Sequence, residues 1–228
     1  MTSISALIKI NQIRWDAMKL DGNRVHDLDA TAKRLVEAKP NYEAVEKRLV
    51  SLGYYVPWWF VAICSEREYG GPPHWNRQLA QGDPLDRVSW HEPAGRGPFK
   101  YHDAVSMTDA WQRGCLDALI DCAPHAAKWG DWSPGGTATI FEEYNGLGYA
   151  NMGVPSAYVW SGSDQYITGK YVADHDYRAG VKDVQEGCMP ILARMIELDK
   201  SIKFGGRALE KLAVPPSSQT PPTKEQKT

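Results

Sequence analysis

Residues 57–73 read Pro-Trp-Trp-Phe-Val-Ala-Ile-Cys-Ser-Glu-Arg-Glu-Tyr-Gly-Gly-Pro-Pro, and no other segment limits the possible folds as strongly. Proline suits the first turn of a helix, and Gly-Gly-Pro-Pro stops one. A helix over 57–68 is therefore expected. Its apolar residues, 58–63, cover every side, so it has no face to offer water and must lie at the centre of the molecule. Two carboxyls emerge at its end. Glu66 and Glu68 are two residues apart, about 200° around the helix, so they face different ways. A carboxyl leaving a buried helix loses hydration, which favours its protonated form. A protonated carboxyl is the proton donor that glycosidic cleavage requires. On residue types alone, Glu-Arg-Glu is more often a solvated helix end, with Arg67 able to pair with either glutamate.

The remaining elements must wrap that helix. Residues 5–52 read as helical, with a break at Pro40-Asn41 and Gly53 as a C-cap. Residues 72–100 are rich in Gly, Pro, Asn, Asp and His and predict loops, with at most a hairpin pairing 76–80 with 87–91. A loop region this long usually carries function. Helix returns over 102–129 and 137–144, a Gly- and aromatic-rich loop spans 145–171, and a last helix, bent at Pro190, covers 178–202. The expected fold is mainly α, of the α+β kind: a helical bundle around a substrate cleft with at most a small β-hairpin. Its parts are an N-terminal helical segment, 1–52, which can belong to the same domain, a catalytic domain, 53–205, and a Pro-rich flexible tail, 206–228.

A net charge of −2 over 228 residues gives no broad positive field, which argues against nucleic acid as a partner. Nine Trp and eleven Tyr against four Phe give many flat rings with polar edges, suited to sugar faces as well as to a core. Cys64, Cys115, Cys122 and Cys188 form no C-x-x-C pair and read as buried reduced thiols. His74, His91, His102 and His125 fall in no metal-binding motif, so neither metal nor other cofactor is expected. The first residues carry no unbroken apolar stretch and no long apolar run follows. The expectation is a chain made in the cytoplasm without a signal peptide or membrane insertion.

Further candidates stand downstream of Glu68. Asp83, in Gly82-Asp83-Pro84-Leu85, is a second carboxylate on a loop, although Gly-Asp-Pro alone is a plain turn. Asn76 and Gln78 flank it. Tyr144-Asn145-Gly146 ends a helix with a glycine that permits close approach of a ligand. Tyr149, Tyr158 and Trp160 follow in a segment dense in rings.

In order, these segments resemble a family. Arg67-Glu68-Tyr69-Gly70 resembles the R-E-S-G around the catalytic acid of goose-type lysozymes and lytic transglycosylases, and Tyr144-Asn145-Gly146 resembles their Y-N-A-G. The pattern is closer to phage and prophage lysozyme-family proteins. There R-E-S-G precedes L-x-x-G-D-P-L (here 79–85), H-x-P-x-G-R-G-P-F (91–99), E-x-Y-N-G-x-G-Y (142–149), S-P-Y-L-W-S (156–161) and G-K-Y-V-A-D (169–174). The resemblance spans roughly 45–190. It implies a lysozyme-like fold, with Glu68 as general acid cleaving between N-acetylmuramic acid and N-acetylglucosamine. Asp83 would stabilise charge or orient water, and Glu66, Asn76, Gln78, Tyr144, Asn145, Tyr149, Tyr158 and Trp160 would bind the peptidoglycan glycan strand. An endolysin released through a holin, or a wall-degrading enzyme carried by a virion tail, is implied. Tyr69 departs from the pattern, standing where the family has Ser. Two alternatives stay open: a catalytically silent glycan-binding or structural virion protein of the same fold, and a metal-dependent cell-wall amidase.

Overall fold

The central helix is α4, Trp58–Tyr69, in a computed structural model that describes residues 2–99, 106–173 and 175–206. Its first eight residues are buried, as its all-round apolar surface requires. Pro57 caps it without a side-chain bond, so the Glu46 carboxylate supplies the acceptor for the Trp58 amide at 3.1 Å. Gly70 closes it in the left-handed conformation at φ 82°. The amides of Gly70 and Gly71 bond back to Glu66 and Ser65.

Three helices precede α4: α1 (Ile4–Ala17), α2 (Val25–Glu37) and α3 (Lys39–Ser51). The break falls at Ala38, not at Pro40-Asn41, because Pro40 sits in the first turn of α3, where no intrahelical N–H is required. After α4 come α5 (Met107–Leu116), a π-helical turn (Asp117–Asp121), a 3₁₀ turn (Ala126–Lys128) and α6 (Pro134–Asn145). The expected helix over 102–129 is thus divided, and its start, with His102, lies outside the described residues. Two short helices, α7 (Gly148–Met152) and α8 (Ala157–Trp160), stand where loop was expected. The last helix, α9, is Cys188–Leu198. Pro190 is in its first turn and bends nothing, and the residues ahead of Gly187 are not helical. The expected tail, from residue 207 on, lies outside the described residues.

The protein is mainly helical with a small amount of sheet. The hairpin expected at 76–80 and 87–91 is absent; only an isolated bridge joins Arg77 to Pro84. Among the described residues a hairpin forms instead from β2 (Lys170–Ala173) and β3 (Asp176–Arg178), bulged between Tyr171 and Ala173. A second antiparallel pair joins β1 (Asp131–Trp132) to β4 (Gly205–Gly206). All four cysteines are free and buried.

The N-terminal helices are built into the same core. Leu28, Leu35, Tyr42, Val45 and Leu49 join one apolar cluster with Phe60, Trp132, Phe141 and Ile191. α2 packs on α9, and α1 packs on α6. The α1–α6 approach depends on Gly135, where a methyl group would run into the Ile8 carbonyl oxygen and Gln12. Gly135→Ala is therefore expected to cost about 1–3 kcal/mol through overpacking. Calorimetry checks this, and an unchanged Tm would show that α1 does not depend on that contact.

Candidate functional site

Glu68 lies in the last turn of α4, half-buried, and its Oε1 accepts a 3.0 Å hydrogen bond from the Tyr158 hydroxyl on α8. Burial pushes its carboxyl up to about 7, against smaller opposing effects of the Tyr158 bond and the Arg67 charge. Near neutral pH the group can therefore give up a proton or take one back. Because the Tyr158 bond favours the carboxylate, Tyr158→Phe is expected to move the Glu68 midpoint further up. A ¹³C titration of the Glu68 carboxyl reads that shift, and a downward shift would contradict this geometry.

The loop after α4 is pressed against the same helix end. Gly82 has φ 71°, and a Cβ there would lie 2.9 Å from the Glu68 carbonyl oxygen, so only glycine allows the approach. Asp83 follows, 2% exposed. Its Oδ2 accepts the amides of Trp90 (2.9 Å) and His91 (3.1 Å), and its Oδ1 meets His91 Nδ1 at 2.7 Å. Burial works to raise the Asp83 pKa, but the bonds from His91 and Trp90 outweigh it, and the net displacement is downward. Both oxygens are thus spent within the loop, which makes Asp83 a clamp that leaves Trp90 exposed on its far side.

Gln78 is 1% exposed, against the expectation that it touches glycan. Its amide nitrogen donates to the carbonyls of Pro84 (2.9 Å) and Arg87 (3.0 Å), closing the loop that a strand ladder does not close. Asn76 is exposed, on a separate depression beside Arg87 and Met107.

Tyr144 and Asn145 end α6. The Tyr144 hydroxyl donates to the Leu79 carbonyl at 3.0 Å, tying α6 to the loop, and its phenol lies near enough to Glu68 for the two groups to influence each other. Asn145 and Gly146 then open onto a cleft of about 580 Å³, walled also by Glu92, Tyr171, Val172 and His175. Glu68 is not part of that wall. Tyr149 is 4% exposed and accepts the Tyr171 amide at 3.1 Å, so it supports the hairpin under the cleft instead of facing it.

Two further expected ligand contacts are corrected. Trp160 is 0% exposed and fills the core. Glu66 turns away from Glu68 and pairs with Arg34 at 2.9 Å, holding α4 to α2. Tyr69, standing in place of the family's Ser, turns into an aromatic cluster, where its hydroxyl accepts from Trp111 Nε1 at 2.9 Å.

Sequence reasoning missed what surrounds Arg67. The guanidinium pairs with neither neighbouring glutamate: it bonds Asp183 at 3.3 Å and lies 4.5 Å from the Tyr158 ring centroid. Lys170 reaches the same Asp183 at 2.9 Å, and Arg24 pairs with Glu186 at 2.9 Å. Asp183 is 116 residues from Arg67, so no local spacing announces the pair.

Among the described residues the candidate histidines do not converge. His91 serves Asp83, His125 Nδ1 meets the Ile120 carbonyl at 2.9 Å, and His74 is exposed. Among the described residues no three His, Cys, Asp or Glu side chains are placed to hold a metal ion, and no helix is long and apolar enough to cross a membrane. No family model, curated protein or solved structure matches the chain.

Proposed function

We propose that this protein cleaves the glycan strands of peptidoglycan between N-acetylmuramic acid and N-acetylglucosamine, as a muramidase or a lytic transglycosylase. The observation that carries the proposal is the Glu68 carboxyl, its proton held near neutral pH by burial and its orientation set by Tyr158. Glu68 donates its proton to the bridging oxygen as the bond from that oxygen to the anomeric carbon breaks. The resulting carboxylate takes a proton from the incoming nucleophile as its oxygen bonds the anomeric carbon. That nucleophile is water in hydrolysis, or the C6 hydroxyl of the same sugar in transglycosylation. Because Asp83 is occupied by its own loop, its role in this scheme is to hold the loop, and Glu68 acts in both steps. Asn145, Gly146 and Tyr171 bind the strand along the cleft. The resemblance to phage proteins supports a place as an endolysin or a virion-carried enzyme.

A silent glycan-binding role is the second reading, favoured by the occupied Asp83 and by Tyr69, whose hydroxyl is turned to Trp111. Release of soluble fragments from purified sacculi, with and without EDTA, tests both readings. Release that persists in EDTA is the expected result. Binding without release would select the silent reading, and release abolished by EDTA would point to the metal-dependent amidase.

A further inference from the structure

Next to Glu68 the chain buries a group of charges that the proposed chemistry does not use. The side chains of Arg67 and Asp183 are each 5% exposed. Arg67 Nη1 donates to the Glu186 carbonyl at 2.7 Å and Nη2 to Asp183 Oδ2 at 3.3 Å. Asp183 Oδ1 accepts from Lys170 Nζ at 2.9 Å, and the Asp183 amide donates to the Tyr166 hydroxyl at 2.9 Å. Glu186 is held by Arg24, which also donates to Ser161 Oγ at 2.8 Å and to the Val184 carbonyl at 2.7 Å. A buried ion pair is a poor source of stability, since desolvation offsets most of its attraction. It does fix where its members point.

We propose that Asp183 is a positioning residue for Glu68: it holds the Arg67 guanidinium over the Tyr158 ring and out of a pair with the Glu68 carboxyl, while the Tyr158 hydroxyl stays aimed at Glu68 Oε1. This rests on reading Glu68 as the proton donor. Arg67 and Glu68 are consecutive in the last turn of α4. Without Asp183, the cation of Arg67 would be drawn to the adjacent Glu68, because Glu66 is engaged by Arg34 and Glu186 by Arg24. An Arg67–Glu68 pair would fix Glu68 as a carboxylate with no proton to donate.

The groups around Glu68 are Arg67 and Cys64 on α4, Tyr158 on α8, Tyr144 on α6 and Cys188 on α9. The thiols and phenols are pushed up by burial and stay neutral, which leaves Arg67 as the cation of that set. Asp183 is faced by Arg67, Lys170 and Tyr166, with Arg24 behind Glu186. It is held below the usual carboxylate range: burial opposes this, but the bonds and charges of Lys170 and Arg67 prevail.

The test is a ¹³C titration of the Glu68 carboxyl in the full chain, labelled at glutamate and assigned with Glu68→Gln. Asp183→Asn is expected to lower the Glu68 midpoint by about one pH unit or more, the usual effect of a cation brought into contact. Arg67→Met is expected to raise it, and adding Asp183→Asn to Arg67→Met to change nothing more. An unmoved midpoint in Asp183→Asn overturns the proposal, as does an equal shift with and without Arg67. Should Asp183→Asn alone fail to fold, the Arg67→Met protein with and without Asp183→Asn decides, because Arg67 is absent from both: an effect of Asp183 that runs through Arg67 leaves the two midpoints equal, and unequal midpoints overturn the proposal. The titration reads the carboxyl whether or not the chain cleaves glycan, so a positioned but inactive Glu68 would sink the proposed function and leave this inference standing.

Discussion

Replacing Glu68 with Gln should slow release of glycan fragments by about 10²–10⁴-fold, the usual contribution of a positioned general acid. It should also stabilise the fold at alkaline pH. Burial raises the folded carboxyl from 4.5 to about 7, so the folded state holds the proton more tightly than the unfolded state does. The stability this contributes is complete below the unfolded value and is lost as pH rises through the folded value. Above that, the ionised Glu68 should cost on the order of 3 kcal/mol relative to a group that stays neutral. Gln carries no such charge, so its Tm should gain on the wild type between about pH 5 and about pH 8. Melting curves at the two pH values check this. Parallel curves would mean that Glu68 does not carry a raised pKa, and the proton donor would be lost from the account.

Asp83→Ala should produce the second large effect, on stability more than on chemistry. It removes the acceptor for the part-buried amides of Trp90 and His91 and the partner of the His91 ring. Unsatisfied buried donors cost about 1–3 kcal/mol each. A total near 3 kcal/mol would lower Tm by about 6–12 °C in a chain of this length. The folded pKa of Asp83 is depressed, so the stabilisation it gives is present above the unfolded carboxylate value and disappears as pH falls below it. The Tm gap between wild type and Asp83→Ala should therefore narrow in acid. Asp83→Asn, which keeps one acceptor oxygen, should retain most of kcat at a temperature where it is folded. An Asp83→Asn protein with native Tm and a thousandfold lower kcat would return Asp83 to the chemistry.

The elements that were legible in the sequence are those specified by local residues. Helix α4 could be placed because Pro57, the apolar run and Gly70-Gly71 fix its start, burial and stop within seventeen positions. The raised pKa of Glu68 follows from the same stretch, since a carboxyl at the end of a buried helix loses water whatever it later touches. Side-chain destinations were not legible. Trp160 and Gln78 look like ligand contacts by residue type, but Trp160 fills the core and Gln78 bonds its own loop carbonyls. The 170–178 hairpin falls between the loop expected over 145–171 and the helix expected over 178–202, although Lys170-Tyr171-Val172 and Asp176-Tyr177-Arg178 carry strand-like residues. The Arg67–Asp183 pair is closed by tertiary packing across more than 100 residues, so a reading of neighbours placed Arg67 between two glutamates, and the structure sends it to a third carboxylate.

The most direct test of the central claim is the mass of the fragments that the purified full chain releases from peptidoglycan, with Glu68→Gln as control. The expected result is muramic-acid-terminated glycan fragments from the wild type and essentially none from Glu68→Gln. Ends carrying an added water identify a muramidase, and 1,6-anhydro ends a lytic transglycosylase. Uncut glycan strands after prolonged incubation, or the same fragments in the same yield from Glu68→Gln, would contradict the account.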